Sequence, residues 1–142
     1  MMLLKGNGRF DFPVVGESFR QDELAQLAGP KCPMGHDLDC LAALLFDDGN
    51  AFDPKAVAVA IVFRDGKVRH VGFLAKADAR QYRQSVAAIG APDPEGMLCR
   101  AKIVGGSTDY DSPSYYGVKL DLRLPFRFGT KLAWRTWSER LL

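Results

Sequence analysis

Residues 56–74, AVAVAIVF-RDGK-VRHVGFL, decide the fold. Ala56 to Phe63 is apolar at every position and rich in β-branched valine and isoleucine, the composition of a strand covered on both faces. Arg64-Asp65-Gly66-Lys67 holds Asp-Gly, the strongest short hairpin signal. Val68 to Leu74 then alternates cleanly, so the two runs pair as antiparallel neighbours. Downstream, Lys76 to Ile89 carries Ala79, Tyr82, Val86 and Ile89 at spacings of three and four. That is an amphipathic helix, closed by Gly90 with Pro92 and Pro94 just beyond.

Working outward, Leu38 to Phe46 is a long apolar run that periodicity alone leaves open between strand and helix, and Asp47-Asp48-Gly49-Asn50 ends it. Phe10 to Val15 reads as a first strand stopped by Gly16, and Asp22 to Ala28 as a short helix stopped by Gly29-Pro30. Met97 to Val104 reads as a strand ended by Gly105-Gly106, a bend or bulge. In Tyr116 to Leu124, Val118, Leu120, Leu122 and Leu124 alternate with Lys119, Asp121 and Arg123, a half-buried strand with one wet face. The expected architecture is mainly β, a small OB-like, modified barrel of about six strands with two short helices. Residues 1–9 read as an N-terminal extension, 10–125 as the barrel and 126–142 as a tail that the pattern does not place.

Composition bounds the function. At 142 residues the chain is one domain's worth, and 47% hydrophobic with 25% charged residues is ordinary for a globular protein. A net charge of +2 is too small for a protein that coats long nucleic acid, so a nucleic-acid footprint would be short. The sequence has no apolar run long enough for a membrane span. Met1-Met2-Leu3-Leu4-Lys5 is too short for a secretory core, and three cysteines make an odd count, so reduced thiols and a cytoplasmic location are expected.

The densest motif is Asp48-Gly49-Asn50-Ala51-Phe52-Asp53-Pro54-Lys55-Ala56-Val57-Ala58-Val59, followed by Val71-Gly72-Phe73-Leu74 and a helix with Ala79 and Tyr82. Val14-Val15-Gly16-Glu17-Ser18-Phe19 precedes it, and Ala101-Lys102-Ile103-Val104-Gly105-Gly106 and Gly117-Val118-Lys119-Leu120-Asp121 follow. In order and spacing, over about residues 10 to 124, these blocks resemble the HIRAN family, in its stand-alone bacterial form more than in the copies attached to DNA-remodelling motors. The resemblance implies a modified OB-like barrel that binds single-stranded DNA, in the best-known relatives at a free 3′-hydroxyl, and no catalysis.

On that resemblance the DNA-binding residues are Val15, Ser18, Phe19, Arg20, Asn50, Phe52, Asp53, Phe73 and Lys76. A terminal nucleotide offers a flat base, a phosphodiester charge and a hydroxyl, and stacking on a base is worth about 1–3 kcal/mol whatever the sequence. Residue type alone would send Phe19, Phe52 and Phe73 to the core; the resemblance sends Phe19 and Phe52 to the pocket. Asp53 matches a carboxylate that accepts from the terminal hydroxyl and repels a phosphate there, although an Asp before Pro54 also suits a local turn cap. Asn50 carries the same two readings. Lys76 matches a cation facing a backbone phosphate, and Arg20 is a second. Ser18-Phe19-Arg20 stands where motor-linked relatives carry Arg-Tyr-Tyr, and Phe73 where some carry a histidine; both departures bear on end selection.

Other chemistry fits less well. Cys32, His36 and Cys40, with Cys99, have loose zinc-like spacing but no Cys-x-x-Cys knuckle, so no metal or cofactor is expected and Cys40 and Cys99 read as core. There is no P-loop, and His36 and His70 stand outside any nucleophile–base motif. Asp109 and Asp111 read as a solvated loop. The alternative is a protein-interaction module whose cleft and Trp134/Trp137-bearing tail dock a helicase or nuclease partner.

Overall fold

The computed structural model describes residues 2–63, 67–90, 97–109 and 114–131. It is a mainly β, OB-like barrel built from one curled sheet of eight strands. The strands are β1 (Met2–Leu4), β2 (Phe12–Pro13), β3 (His36–Phe46), β4 (Val57–Val62), β5 (Val68–Phe73), β6 (Met97–Gly105), β7 (Tyr116–Leu120) and β8 (Phe128–Lys131). A 3-10 turn (Glu17–Phe19) leads into helix α1 (Gln21–Ala28), and helix α2 (Lys76–Ile89) follows β5. The strands run in the order β2-β7-β6-β3-β4-β5. β1 adds parallel to the start of β6 and antiparallel to β8.

The hairpin forms as its sequence dictates: Val62 pairs with Val68, and the Phe63 amide donates to the Lys67 carbonyl at 2.8 Å. Arg64 to Gly66 lie outside the described residues. The open alternative at 38–46 resolves to strand, because β3 is held on both sides, by β4 and by β6. Every residue of β4 is buried. Val57, Val59 and Ile61 enter the main core, while Val62 joins Leu41, Ala43 and Leu98 in a smaller cluster on the other face. Ala79, Tyr82 and Val86 of α2 pack into the main core, with the Tyr82 ring edge-on to Phe126 and Phe46. Cys40 and Cys99 are buried there, and desolvation pushes the Cys40 thiol up to about 12 and the Cys99 thiol higher.

Several boundaries move. The first strand shortens to Phe12–Pro13, with Val15 left as an isolated bridge to Phe73. The strand expected to run to Leu124 stops at Leu120. Asp121, expected on the wet face, is only 4% exposed, and Leu124 is 48% exposed. The cause is local: Asp121 Oδ1 accepts from the amides of Asn7 and Gly8 at 3.0 and 2.8 Å, which ends the alternation and fastens residues 6–8 to the barrel. The segment read as an extension contributes β1, and the start of the tail contributes β8. Trp134 and Trp137 lie outside the described residues. Gly105 and Gly106 both take positive φ, so the pair is a bend, as its composition suggests. No helix among the described residues is long and apolar enough to cross a membrane.

Candidate nucleic-acid interface

The segment around residues 12–20 joins the two edges of the sheet. Phe12 and Pro13 pair with Leu120 and Lys119 of β7 at one edge. Two residues on, the Val15 amide donates to the Phe73 carbonyl and the Phe73 amide to the Val15 carbonyl, each at 2.8 Å. Gly16 then takes φ +81°, a left-handed conformation that starts the 3-10 turn. That turn is fastened by side chains. Glu17 Oε2 accepts from the Val118 amide at 2.9 Å. Gln21 Nε2 donates to the carbonyls of Glu17 and Tyr116, and Gln21 Oε1 accepts from the Tyr116 amide, all at 2.9 Å. Ser18 and Phe19 therefore project from a backbone tied to β7, and Phe19 is 87% exposed.

Arg20 leads toward β5. One guanidinium nitrogen lies 3.3 Å from His70 Nδ1 and another 3.6 Å from Glu23. His70 Nε2 lies 2.8 Å from the Gly72 carbonyl, so that nitrogen carries the proton and Nδ1 accepts from Arg20. Desolvation holds the imidazole pKa below its ordinary 6.5, against the Gly72 bond, which raises it. The half-buried Phe73 ring stands edge-on to His70 with centroids 4.7 Å apart. Val15, Ser18, Phe19, Arg20 and Phe73 thus form one connected group.

Asn50, Phe52 and Asp53 form a second group in the 47–56 connection between β3 and β4. Asn50 donates to Asp47 Oδ2 at 3.0 Å and accepts from the amides of Phe52 and Asp53 at 2.9 and 3.0 Å. Its side chain is committed to shaping the turn. Asp53 Oδ1 accepts from the Lys55 amide at 2.9 Å, and Oδ2 has no hydrogen-bond partner among the described residues. Phe52, between them, is 100% exposed. Both groups sit at the same end of the sheet: Ala58 pairs with Phe73, and the Leu74 amide donates to Val57. The charge of Asp47 is felt at His70 across that end. Lys76 is exposed at the start of α2, three residues after Phe73.

Three features escape a reading of motifs. Arg83 of α2 clamps the turn: it donates to the carbonyls of Lys55 and Ala56 at 2.8 and 2.7 Å and pairs with Asp48 at 2.8 Å. Nothing in the sequence but its helical spacing from Lys76 pointed to it. Gln21 and Glu17 likewise hold the Phe19 turn through backbone groups, which leave no sequence signature. Between α2 and the turn lies a groove of about 340 Å³ lined by Lys55, Arg80, Arg83, Gln84 and Ala87.

His36 begins β3, with Nδ1 2.9 Å from the Gly105 carbonyl and Nε2 3.9 Å from Cys32 Sγ. Cys40 and Cys99 lie in the core, and no group of three metal-ligating side chains occurs among the described residues. No family model matches the chain, and no curated protein and no solved structure matches it either.

Proposed function

We propose that this protein is a HIRAN-type binding module for the end of a DNA single strand, working by contact and not by catalysis. The observation that carries the reading is the placement of two large rings, Phe19 at 87% and Phe52 at 100% exposure, on tied backbones at one end of an OB-like barrel. A protein gains nothing in stability from exposed phenyl rings, whereas an unstacked base gains a platform. Asp53 lies next to Phe52 with one carboxylate oxygen uncommitted among the described residues, suited to accept from a terminal hydroxyl. Arg20 and Lys76 supply charge for the adjoining phosphate, and Val15, Ser18, Asn50 and Phe73 frame the site. The reduced cysteines support a cytoplasmic setting, where strand ends arise in DNA repair.

The test is fluorescence anisotropy at low salt with a short strand ending in a 3′-hydroxyl, beside the same strand ending in a 3′-phosphate. Asp53→Asn is the informative variant, since its amide oxygen still accepts from the Lys55 amide while the charge is gone. Wild type should prefer the hydroxyl end by about tenfold or more, equivalent to about 1.4 kcal/mol, and the variant should lose that preference. Equal binding to both strands by wild type would reduce the reading to general strand binding. Binding to neither would overturn it and put a protein partner first.

A further inference from the structure

The groove between α2 and the 47–56 turn adjoins the proposed end pocket and belongs to none of the residues assigned to it. Lys55, Arg80, Arg83, Gln84 and Ala87 line it. On a helix of 3.6 residues per turn, Lys76, Arg80, Arg83, Gln84 and Ala87 fall within about 100° of arc, while Asp78 lies on the opposite side. The core positions Ala79, Tyr82 and Val86 occupy the adjoining sector, so the cationic stripe flanks the barrel and faces the turn.

The three cations are not equivalent. Arg83 is spent: it holds the Lys55 and Ala56 carbonyls, pairs with Asp48, and its guanidinium carbon lies 4.2 Å from the Phe46 ring centroid. Lys55 and Arg80 are exposed, and neither has an ion-pair partner among the described residues. No acidic side chain is among the described residues that line the groove. Two uncommitted cations beside a fixed third, with an amide and an apolar Ala87 wall, complement a polyanion of narrow section. The stripe runs from Lys76, beside the end pocket, to Ala87, about 16 Å along the helix axis at 1.5 Å per residue.

We propose that this groove carries the phosphodiester backbone of a single strand whose last nucleotide occupies the end pocket, with Lys55 and Arg80 as its phosphate contacts. The proposal rests on the strand-end reading and adds a direction: the strand leaves the pocket along α2. Phosphate contacts fix register without reading sequence. A short track of two contacts is also what a net charge of +2 accommodates.

The test compares wild type with Lys55→Gln/Arg80→Gln, which removes both charges and places no new carboxylate beside the Arg83 clamp. Anisotropy is measured on 3′-hydroxyl strands of about three and about twelve nucleotides, across a salt series. Wild type should bind the longer strand about tenfold tighter or more, and the double variant should hold the shorter strand within about twofold while losing the length advantage. Its slope of log affinity against log salt on the longer strand should shrink by about 1.4, two contacts at about 0.7 each. Retained length advantage and slope in the variant would overturn the groove while leaving the end pocket standing. Failure of wild type to bind either strand would overturn both. A wild-type length advantage matched by equally tight, variant-sensitive binding of an oligoglutamate peptide would assign the groove to an acidic protein segment and overturn the nucleic-acid track.

Discussion

Val15 and Phe73 exchange a pair of backbone hydrogen bonds, each 2.8 Å, and through them the segment that pairs with β7 also fastens β5. The sheet is closed by one residue pair next to the exposed rings. Gly72 makes the approach possible. A Cβ there would sit 2.5 Å from Val14 Cγ1 and 2.7 Å from the Val15 carbonyl oxygen. Gly72→Ala must therefore push the Val14–Val15 segment away. It should lower stability by about 1–3 kcal/mol, read from urea unfolding, and weaken strand binding, because the Phe19 turn moves with the segment. An alanine variant as stable as wild type would show that the closure is slack.

Arg83 presents a different kind of dependence. Its guanidinium meets three carbonyls, one carboxylate and the face of Phe46 at once, a geometry a lysine cannot reproduce. Arg83→Ala should cost about 2–3 kcal/mol in urea unfolding, and Arg83→Lys should recover less than half of it. The amides of the 47–56 turn should lose hydrogen-exchange protection ahead of the rest of the barrel.

The sequence made the hairpin and α2 legible because both carry strong local signals: Asp65-Gly66 between apolar runs, and a three–four spacing ended by Gly90. The turn motif placed Asn50, Phe52 and Asp53 together because they are neighbours in the chain. What stayed hidden depends on distant backbone groups. Asp121 is buried by the amides of residues 7 and 8, more than a hundred positions away, and no alternation pattern can register that. Val15 closing onto Phe73, Gln21 bridging to Tyr116 and Arg83 capping the turn are likewise long-range bonds to main chain, which is the same at every residue. Whether residues 38–46 were strand or helix was undecidable locally, since an apolar run buried on both faces loses its period.

Phe52 separates binding from stability. Its ring is wholly exposed, so Phe52→Ala removes no packing and should leave the unfolding midpoint unchanged. If a base stacks on it, affinity for a short single strand should fall by about 1–3 kcal/mol, roughly 5- to 150-fold. Phe19→Ala should behave the same way on the other side of the site. Unchanged affinity in both variants would remove the aromatic platform from the binding account.

The Glu17 carboxyl is held partly out of water. Desolvation holds its carboxyl pKa above the ordinary 4.5, opposed by the bond from the Val118 amide and the charge of Lys119. A carboxyl raised in the folded state holds its proton there more tightly than in the unfolded chain. Its contribution is therefore full below about pH 4.5 and is lost as pH rises through the raised value. Glu17→Gln keeps an acceptor for Val118 and should flatten that part of the stability–pH profile, measured by urea unfolding. Glu17→Ala should lower stability at every pH, since it strips the Val118 amide of its partner.

His70 gives the opposite sign. Its folded pKa lies below 6.5, chiefly through desolvation, with the charge of Arg20 lowering it further and those of Asp47 and Glu23 raising it. Between that lowered value and 6.5 the unfolded chain binds more protons than the folded one. Stability from this residue is thus complete above about pH 6.5 and drains away as pH falls through the folded value. The structural event is specific: a protonated ring no longer accepts from Arg20, 3.3 Å away, and repels it. Ring titration followed by NMR should show a midpoint below 6.5, and Arg20→Gln should raise that midpoint by removing the neighbouring charge. A His70 midpoint at or above 6.5 in wild type would mean that the ring is solvated and charged beside Arg20, and the contact joining the Phe19 turn to β5 would not hold.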